Sequence, residues 1–332
     1  MIKEQNRLEG SKVLITGGAG LIGSHIADQL VLKGVDEVII LDNFTRGRRE
    51  NLNWAKSCGN VKIIEGDIRD QEMMVESTKF IDYVFHQAAI RITACADFPR
   101  GAMEVMDRGT FNVLDAAAHN NVKKVVLASS ASVYGMAEEF PTPESHHPYN
   151  NETIYGAFKL ANEAIARAFH NMYGLEYTAL RYFNVYGPRM DIYGAYTEVI
   201  IRWLDAIDEW IAPKILGDGS QTMDFVYVGD VARANILAME ASNVNIAINI
   251  GSGKETSLKE LLDTILLLSK TSVEPEYLPE RKVNPVQRRL ADIRRAEQLL
   301  GFKAETSLRD GLEELIKWRA AAKEKAPKLI MK

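Results

Sequence analysis

The sequence feature that most constrains the fold is a glycine-rich stretch at residues 12–23, KVLITGGAGLIG. Residues 13–16 have strand character and run directly into the glycines, and helical spacing begins at Leu21. Gly17, Gly20 and Gly23 spell G-x-x-G-x-x-G, and starting from Gly18 the stretch also spells G-x-G-x-x-G. A turn this tight needs positive φ, a diphosphate needs backbone without a Cβ in its way, and a helix start supplies free N–H groups. The stretch predicts a dinucleotide-binding turn; a plain turn or helix cap is the alternative.

An acidic residue follows the next predicted strand. Residues 37–41 (EVIIL) form an apolar run, and Asp42 lies directly after it. A carboxylate in this place accepts hydrogen bonds from a ribose 2′-OH and repels a 2′-phosphate. Asp42 therefore predicts NAD rather than NADP as the cofactor, although Arg46, Arg48 and Arg49 follow closely.

Strands and helices alternate through the first half of the chain. Residues 61–65, 82–86 and 125–128 have strand patterns, and 99–121 has the pattern of one long helix. This order predicts an α/β fold of Rossmann type, a doubly wound parallel sheet with helices on both faces. Ligands bind at the carboxyl ends of the strands in such sheets. The residues predicted at those ends are Asn43, Asp67, Ile68, Gln87, Ala88, Ala89, Ser129, Ser130 and Ser132.

Composition excludes several other classes of protein. The chain of 332 residues carries 40 basic and 45 acidic side chains, a net charge of −5, which gives no sign of a nucleic-acid groove or of an anionic membrane partner. Cys58 and Cys95 are the only cysteines, no Cys/His cluster has metal spacing, and His86 is predicted to be structural. The N-terminus is polar and no apolar run is long enough to span a membrane. We therefore expect a cytoplasmic protein without a bound metal.

A phenol and an ammonium group lie close together near the middle of the chain. Tyr155 and Lys159 are four residues apart at the start of a predicted helix, so both side chains point to one face. Tyrosine, with a pKa of about 10, is a poor base at neutral pH, and a neighbouring cation favours the phenolate. The spacing Y-x-x-x-K occurs by chance in many helices, but Ser130 offers a hydroxyl to the same substrate oxygen. Together these residues predict a general base for a sugar hydroxyl.

Several motifs together resemble those of one known family. In chain order they are GGAGLIG at Gly17, HQAA at His86, SSASVYG at Ser129, YGAFK at Tyr155, RYFNVYGPR at Arg181 and DFVYVGDVARA at Asp224. The chain resembles the extended short-chain dehydrogenase/reductase family over nearly its whole length. Within that family it is most similar to the nucleotide-sugar epimerases and dehydratases.

The resemblance implies bound NAD and a role for each motif. The residues expected at the cofactor are Gly17, Gly20, Leu21, Ile22, Gly23, Asp42, Asn43, Asp67, Ile68, Gln87, Ala88, Ala89, Tyr155, Lys159 and Phe183. By the same resemblance Tyr155 is the catalytic base, Lys159 binds the nicotinamide ribose and lowers the tyrosine pKa, and Ser130 binds the sugar O4. The family also implies a homodimer formed through the long helices.

Two small residues bear on the choice of reaction. Dehydratases of this group carry two acidic residues directly after the hydroxyl residue, and related decarboxylases keep an acid at the second of these two positions. This chain has Ala131 and Ser132 there. Elimination then lacks its proton donor, which favours 4-epimerisation. In that reaction, as the resemblance implies, the tyrosine takes the O4 proton while hydride passes to NAD⁺. The hydride then returns to the opposite face of the 4-keto sugar.

Two alternatives to an epimerase stay open at this point. The first is another nucleotide-sugar oxidoreductase or dehydratase, which would release NADH or a stable 4-keto product. The second is a non-enzymatic NAD-binding regulator, which is disfavoured because Ser130, Tyr155 and Lys159 are all present.

The second half of the chain is predicted to bind the nucleotide sugar. We expect an NAD-binding domain at residues 1–187 and a smaller α/β substrate lobe at residues 188–332. Many relatives have an arginine before the Asp224 motif that would pair with the substrate diphosphate, and this chain has Met223 there. The cations available to replace that arginine are Arg281, Lys282, Arg288 and Arg289.

The sugar itself is left open. Arg189 and Arg91 are candidates for binding a sugar carboxylate, because an arginine fork matches a carboxylate well. The substrate is then a UDP-hexose, a UDP-N-acetylhexosamine or a UDP-hexuronate. The predicted substrate contacts are Ser132, Asn184, Arg189, Val199, Arg281 and Lys282.

Overall fold

Seven parallel strands form the main sheet. The computed structural model describes residues 7–194, 197–242, 245–280 and 286–325. Its strands are β1 (Lys12–Thr16), β2 (Glu37–Asp42), β3 (Val61–Glu65), β4 (Tyr83–His86), β5 (Lys124–Ser130), β6 (Glu176–Tyr182), β7 (Asn184–Tyr186), β8 (Lys214–Leu216), β9 (Thr222–Met223), β10 (Phe225–Tyr227), β11 (Ala247–Ile250), β12 (Thr256–Ser257) and β13 (Glu276–Leu278). The sheet has the order β11-β6-β5-β4-β1-β2-β3, and every neighbouring pair is parallel. The order reverses at β1, and a crevice forms at the carboxyl ends of strands at such a point.

Helices cover both faces of this sheet. The helices in the described chain are α1 (Leu21–Leu32), α2 (Asn53–Cys58), α3 (Gln71–Ser77), α4 (Ile92–Asp97), α5 (Pro99–Met103), α6 (Thr110–His119), α7 (Ile154–Tyr173), α8 (Val199–Asp208), α9 (Val228–Glu240), α10 (Leu258–Leu268), α11 (Arg294–Leu300) and α12 (Leu308–Lys325), of which α8, α10 and α12 belong to the second lobe. Ile15 packs with Ile26 of α1 and Ile236 of α9, whereas its neighbour Leu14 packs with Val113 of α6 on the opposite face. Successive strand residues point to opposite faces, so each face has its own core. The predicted doubly wound fold is confirmed.

The second lobe has a separate core around Trp203. Strands β7 and β10 form one parallel pair, β8 and β13 form another, and β9 and β12 pair antiparallel. Helices α8, α10 and α12 bury Trp203, whereas Trp210 is largely exposed. Helix α10 begins with a capping box, in which Ser257 and Glu260 each satisfy a backbone N–H of the other. The smaller C-terminal α/β lobe is therefore present.

The two lobes share the large sheet. Strand β11 pairs with β6, and α9 packs on α1, so residues beyond the predicted boundary at 187 complete the first layer. The predicted boundary at residue 187 therefore crosses a continuous core.

The predicted long helix over 99–121 is interrupted by a wider turn. Residues Glu104–Gly109, between α5 and α6, form a π-helical segment. The Met106 carbonyl accepts hydrogen bonds from the Thr110 hydroxyl at 2.7 Å and from the Asn162 amide at 2.9 Å. Asn162 belongs to α7, so a contact between two helices accompanies the departure from regular α geometry. The sequence pattern of residues 99–121 alone could not predict this contact with α7.

Candidate functional site

A large cleft opens at the carboxyl ends of the main strands and extends into the second lobe. Its volume is about 2220 Å³, which exceeds the roughly 300–1,000 Å³ of a typical small-molecule pocket. Among the described residues predicted for the site, all line this cleft except Lys159, which lies behind Tyr155. Arg281 and Lys282 lie outside the described residues. The cleft therefore has room for two nucleotide-sized ligands.

The glycine turn between β1 and α1 forms one wall of the cleft. Gly17 has φ +67°, and a Cβ there would lie 2.6 Å from the Ala88 nitrogen. A Cβ on Gly23 would lie 2.5 Å from the Gly17 oxygen and 2.7 Å from Gly18 Cα. Helix α1 starts after Gly20, whose position makes no side-chain cap, so the first N–H groups of the helix stay available. This bare backbone at a helix start fits a diphosphate.

Asp42 is held at the end of β2 by the backbone. Its Oδ2 accepts a hydrogen bond from Ala19 N and its Oδ1 accepts one from Phe44 N, both at 2.9 Å. Burial raises the pKa of Asp42 despite these bonds. A carboxylate oxygen accepts more than one hydrogen bond, so both oxygens can also accept from a ribose.

The basic residues after Asp42 are bound to other groups. Arg46 pairs with Asp191 at 3.5 Å, Arg49 pairs with Glu65 at 2.5 Å, and the Arg48 guanidinium lies 4.0 Å from the ring centre of Tyr193. These contacts keep the three cations occupied and favour the interpretation of Asp42 as a selector for NAD.

Asp67 is fixed in a small polar cluster beside Asp42. Asn43 donates a hydrogen bond to Asp67 Oδ2, and Arg69 donates to both oxygens. The hydrogen bonds from Arg69 lower the pKa of Asp67 to about 2. The next carbonyl, that of Ile68, accepts from the Asn112 amide at 3.0 Å, so α6 fixes this segment at the cleft.

Tyr155 and Ser130 meet in the cleft wall, where β5 ends and α7 begins. Thr153 caps α7, and its hydroxyl accepts a hydrogen bond from Gly156 N. The Tyr155 hydroxyl is hydrogen-bonded to Ser130, which lowers its pKa, but burial is the larger effect and raises the pKa of Tyr155 to about 12. Loss of hydration is thus the largest effect on the pKa of Tyr155, and the cation that lowers this pKa is Arg46.

Lys159 lies directly beneath the tyrosine ring. Its Nζ is 5.7 Å from the Tyr155 ring centre and donates a hydrogen bond to the Ala128 carbonyl at 2.6 Å. Burial lowers the pKa of Lys159 to about 8. The lysine is thus a cation only partly stabilised by its surroundings, next to the group predicted to become a phenolate.

Glu163 is a site residue that the sequence reasoning missed. Its carboxylate accepts from the Ser129 hydroxyl at 2.5 Å and from Arg181 Nε and Nη2 at 2.9 and 2.6 Å. One carboxylate therefore joins α7 to the ends of β5 and β6, which carry Ser130 and the residues before Phe183. Glu163 follows Lys159 by four residues and so lies on the same helix face. The spacing in the sequence could therefore have indicated this residue.

Phe183, Asn184, Ser132 and Val199 line the part of the cleft nearest the second lobe. Phe183 N donates to the Ile250 carbonyl at 3.0 Å and Asn184 N donates to the Asp224 carbonyl at 2.9 Å, so this backbone is anchored in both sheets.

The arginines predicted to bind the substrate differ in what they contact. Arg189 is paired with Asp28 at 2.6 Å, and Arg91 with Glu198 at 2.7 Å. Arg288 is exposed and paired with Glu255. Arg289 lines the cleft and donates to the Ala131 carbonyl at 2.7 Å; within the described ranges no carboxylate pairs with it. Burial lowers the pKa of Arg289 to about 10.

Two negative findings concern the described residues. Within those ranges no group of three or more His, Cys, Asp or Glu side chains is placed to hold a metal ion. The helices described there include none with the length and apolar character needed to cross a membrane.

His86 contacts the hydroxyls of Thr16 and Thr110, and burial lowers its pKa to about 3, as expected of a neutral structural histidine.

Comparison with known proteins gives similarities along most of the chain. A sequence model of the NAD dependent epimerase/dehydratase family matches residues 13–251. A putative UDP-glucose 4-epimerase of Methanocaldococcus jannaschii is 40% identical over 92% of this chain and 97% of its own. Relatives named UDP-glucuronic acid decarboxylase also match, one at 30% identity.

Solved structures give the same similarity in three dimensions. The UDP-N-acetylglucosamine 4-epimerase of Methanobrevibacter ruminantium M1, in complex with UDP-N-acetylmuramic acid, superposes with a TM-score of 0.89 at 35% identity, over 95% of this chain and 99% of that one. A protein named MoeE5, in complex with UDP-glucuronic acid and NAD, gives a TM-score of 0.83 at 32% identity, over 94% and 99% of the two chains.

Proposed function

The chain belongs to the NAD-dependent epimerase/dehydratase family and is an NAD-dependent enzyme of nucleotide sugars; from that premise we propose that it inverts C4 of a UDP-linked sugar through a transient 4-keto intermediate. The observation that carries this proposal is the Ser130–Tyr155 contact in the cleft wall, followed by Ala131 and Ser132. A base for O4 lies there, and the two positions next to Ser130 have no acid to expel a neighbouring hydroxyl.

Each catalytic residue has one task in this scheme. Tyr155 takes the O4 proton as C4 is oxidised and gives it back as C4 is reduced. Ser130 orients O4 by a hydrogen bond, and Lys159 stabilises the phenolate with its positive charge. Bound NAD⁺ supplies the hydride acceptor, and the reduced cofactor supplies the hydride that returns to the other face of the sugar.

The cofactor residues are assigned from the geometry of the turn and the strand ends. Gly17, Gly20 and Gly23 leave space for the diphosphate, with Leu21 and Ile22 at the helix start. Asp42 with Asn43 binds the adenosine ribose, and Asp67 with Ile68 lies at the adenine. The remaining residues proposed at the cofactor are Gln87, Ala88, Ala89, Tyr155 and Phe183, which line the cleft, and Lys159 beneath the Tyr155 ring.

We assign the substrate diphosphate to Arg289 and Asn184. Arg289 takes the place of the arginine that many relatives carry where this chain has Met223, because Arg289 is partly buried, lines the cleft and has no carboxylate partner in the described chain. Arg289→Ala should raise the KM for the sugar nucleotide by about 10- to 100-fold, since a hydrogen bond to a charged group is worth about 1.5–3 kcal/mol. Steady-state kinetics measure this.

The matched control for Arg289 is its neighbour. Arg288→Ala removes the same charge from an exposed side chain that is paired with Glu255. It should leave KM within about twofold of the native value, because exposed ion pairs contribute little. Equal effects of the two substitutions would contradict the assignment.

One experiment tests the reaction itself. The protein with NAD⁺ is incubated in D₂O with UDP-glucose, UDP-N-acetylglucosamine, UDP-glucuronate and dTDP-glucose in turn, and proton NMR follows the sugar. We expect a mixture of C4 epimers that keeps the original hydrogen at C4, without accumulation of NADH. Solvent deuterium beside a 4-keto group would indicate a dehydratase, and loss of the carboxylate would indicate a decarboxylase. Binding of NAD without turnover of any sugar would indicate a regulator.

A homodimer is the assembly we propose, formed by α6 and α7 of two copies. Phe111 of α6 is half-exposed and contacts Phe169, which contacts the exposed Tyr173; Met172 beside it is also exposed. A contiguous apolar surface of this kind is typical of an interface. We expect light scattering to give twice the monomer mass, and Met172→Glu to shift the protein toward monomer. The control, Leu32→Glu at an exposed position at the end of α1, should stay dimeric.

A further inference from the structure

The charges next to the catalytic tyrosine are balanced. Four cleft residues, Arg46, Arg91, Asp191 and Glu198, form what we call the charge quartet. Arg46 pairs with Asp191 at 3.5 Å and Arg91 pairs with Glu198 at 2.7 Å. Two cations and two anions leave no net charge on this part of the wall.

The quartet acts as one electrostatic unit. Burial lowers the pKa of Arg91. The charges of Glu198 and Asp191 raise this pKa, and the charge of Arg46 lowers it further. The charges of Arg46 and Arg91, together with backbone hydrogen bonds, hold the pKa of Asp191 below its usual value. Each carboxylate of the quartet therefore compensates one arginine.

The quartet lies close to the reacting end of the cleft. The charge of Arg46 acts on the Tyr155 hydroxyl and lowers its pKa. Arg91 directly precedes α4, and Ala89 and Ile90 before it pack against the same small buried cluster as Tyr155. In a hexopyranose the C6 substituent is attached to C5, the carbon next to C4. We take the C6 group of a sugar whose O4 lies at Tyr155 to face this wall, which lines the same cleft.

We infer that the enzyme takes a neutral sugar, with Glu198 as the residue that excludes a hexuronate by keeping Arg91 occupied. A C6 carboxylate would have to displace Glu198 from Arg91 and leave a partly buried carboxylate without its partner. Such an exchange of one anion for another gains no net charge pairing. A neutral hydroxymethyl group requires no displacement.

The other candidate for binding a uronate is occupied in the same way. Arg189 is paired with Asp28 of α1, and both side chains are largely buried. Arg289 lacks such a partner in the described chain, but the diphosphate, which every candidate substrate carries, requires it. The cations expected to recognise a carboxylate are therefore already compensated by the protein.

The test compares UDP-glucose with UDP-glucuronate, and it rests on the proposed C4 inversion. For the native enzyme we expect kcat/KM to favour UDP-glucose by at least tenfold. Glu198→Gln keeps the shape of the side chain and releases Arg91, so the preference should fall by about tenfold or more through faster turnover of UDP-glucuronate. Glu209→Gln, an exposed residue just after the same helix, is the control and should keep the native preference.

The outcomes separate this inference from the proposed function. Native enzyme that inverts UDP-glucuronate as efficiently as UDP-glucose would overturn the inference and leave the epimerase intact. A preference unchanged by Glu198→Gln would overturn the role of Glu198. If that variant does not fold, Asp191→Asn, which releases Arg46, takes its place with the same expected direction. Failure of the native protein to invert either sugar would overturn the proposed function itself.

Discussion

Tyr155→Phe should lower kcat for C4 inversion by about 10²- to 10⁴-fold, the usual range for loss of a general base. The substitution removes the oxygen that is hydrogen-bonded to Ser130 and leaves the ring in its small apolar cluster with Cys95 and Phe158. Packing is therefore kept, and the affinities for NAD and the sugar nucleotide should change little. Steady-state kinetics and calorimetric titration measure the two quantities separately.

The control for this substitution is Tyr149→Phe, which removes the same oxygen from an exposed tyrosine in the loop before α7. It should turn over at the native rate. An enzyme that keeps native kcat after Tyr155→Phe would show that another group takes the O4 proton, and the catalytic assignment would be wrong.

The same tyrosine gives the reaction a pH dependence. Burial raises the pKa of Tyr155 to about 12 and lowers the pKa of Lys159 to about 8. Tyr155 acts as a base only after losing its proton, so kcat should rise with pH on the acidic side. Lys159 is a cation below its own pKa, and its support for the phenolate disappears as pH rises through about 8. The rising limb should be absent from Tyr155→Phe.

Local features of the site were predictable from sequence because each is contained in a short segment. The glycine turn, Asp42 at the end of β2, and the pair Tyr155 and Lys159 on one helix face all follow from spacing within a single strand–helix unit. The strand ends that carry Ser130 and Gln87 follow from the topology, since parallel strands bring their carboxyl ends to one edge.

What the sequence does not contain is the pairing of charges between distant segments. Arg91 and Glu198 are 107 positions apart, and Arg189 and Asp28 are 161 positions apart. The chemistry of the guanidinium group made both arginines candidate carboxylate ligands, but only the fold shows that each already has a carboxylate. The direction of the Tyr155 pKa shift has the same origin, because burial depends on packing from α4 and α5 as well as on its neighbours in α7.

Gly23→Ala should weaken NAD binding by about 100-fold or more, with two diphosphate hydrogen bonds of about 1.5–3 kcal/mol each at stake. The new Cβ would lie 2.5 Å from the Gly17 oxygen and 2.7 Å from Gly18 Cα. Both atoms are backbone, so no side chain can rotate away, and the turn or α1 has to move. The same overpacking should cost about 1–3 kcal/mol of unfolding free energy. Titration with NAD and chemical denaturation measure the two effects.

A glycine in open surroundings is the control that separates steric cost from loss of glycine as such. Gly101 lies in α5, and a Cβ there would meet only Phe98 Cβ at 4.0 Å. Gly101→Ala should stabilise the protein by about 0.4–1 kcal/mol, because alanine loses less entropy in a helix. The NAD affinity of that variant should differ from the native value by no more than about twofold. This is a small change in binding free energy, because a tenfold change corresponds to about 1.4 kcal/mol. Gly23→Ala that binds NAD as tightly as Gly101→Ala would mean that the diphosphate does not lie on the glycine turn, and the orientation of the cofactor across Asp42 and Tyr155 would have to be abandoned with it.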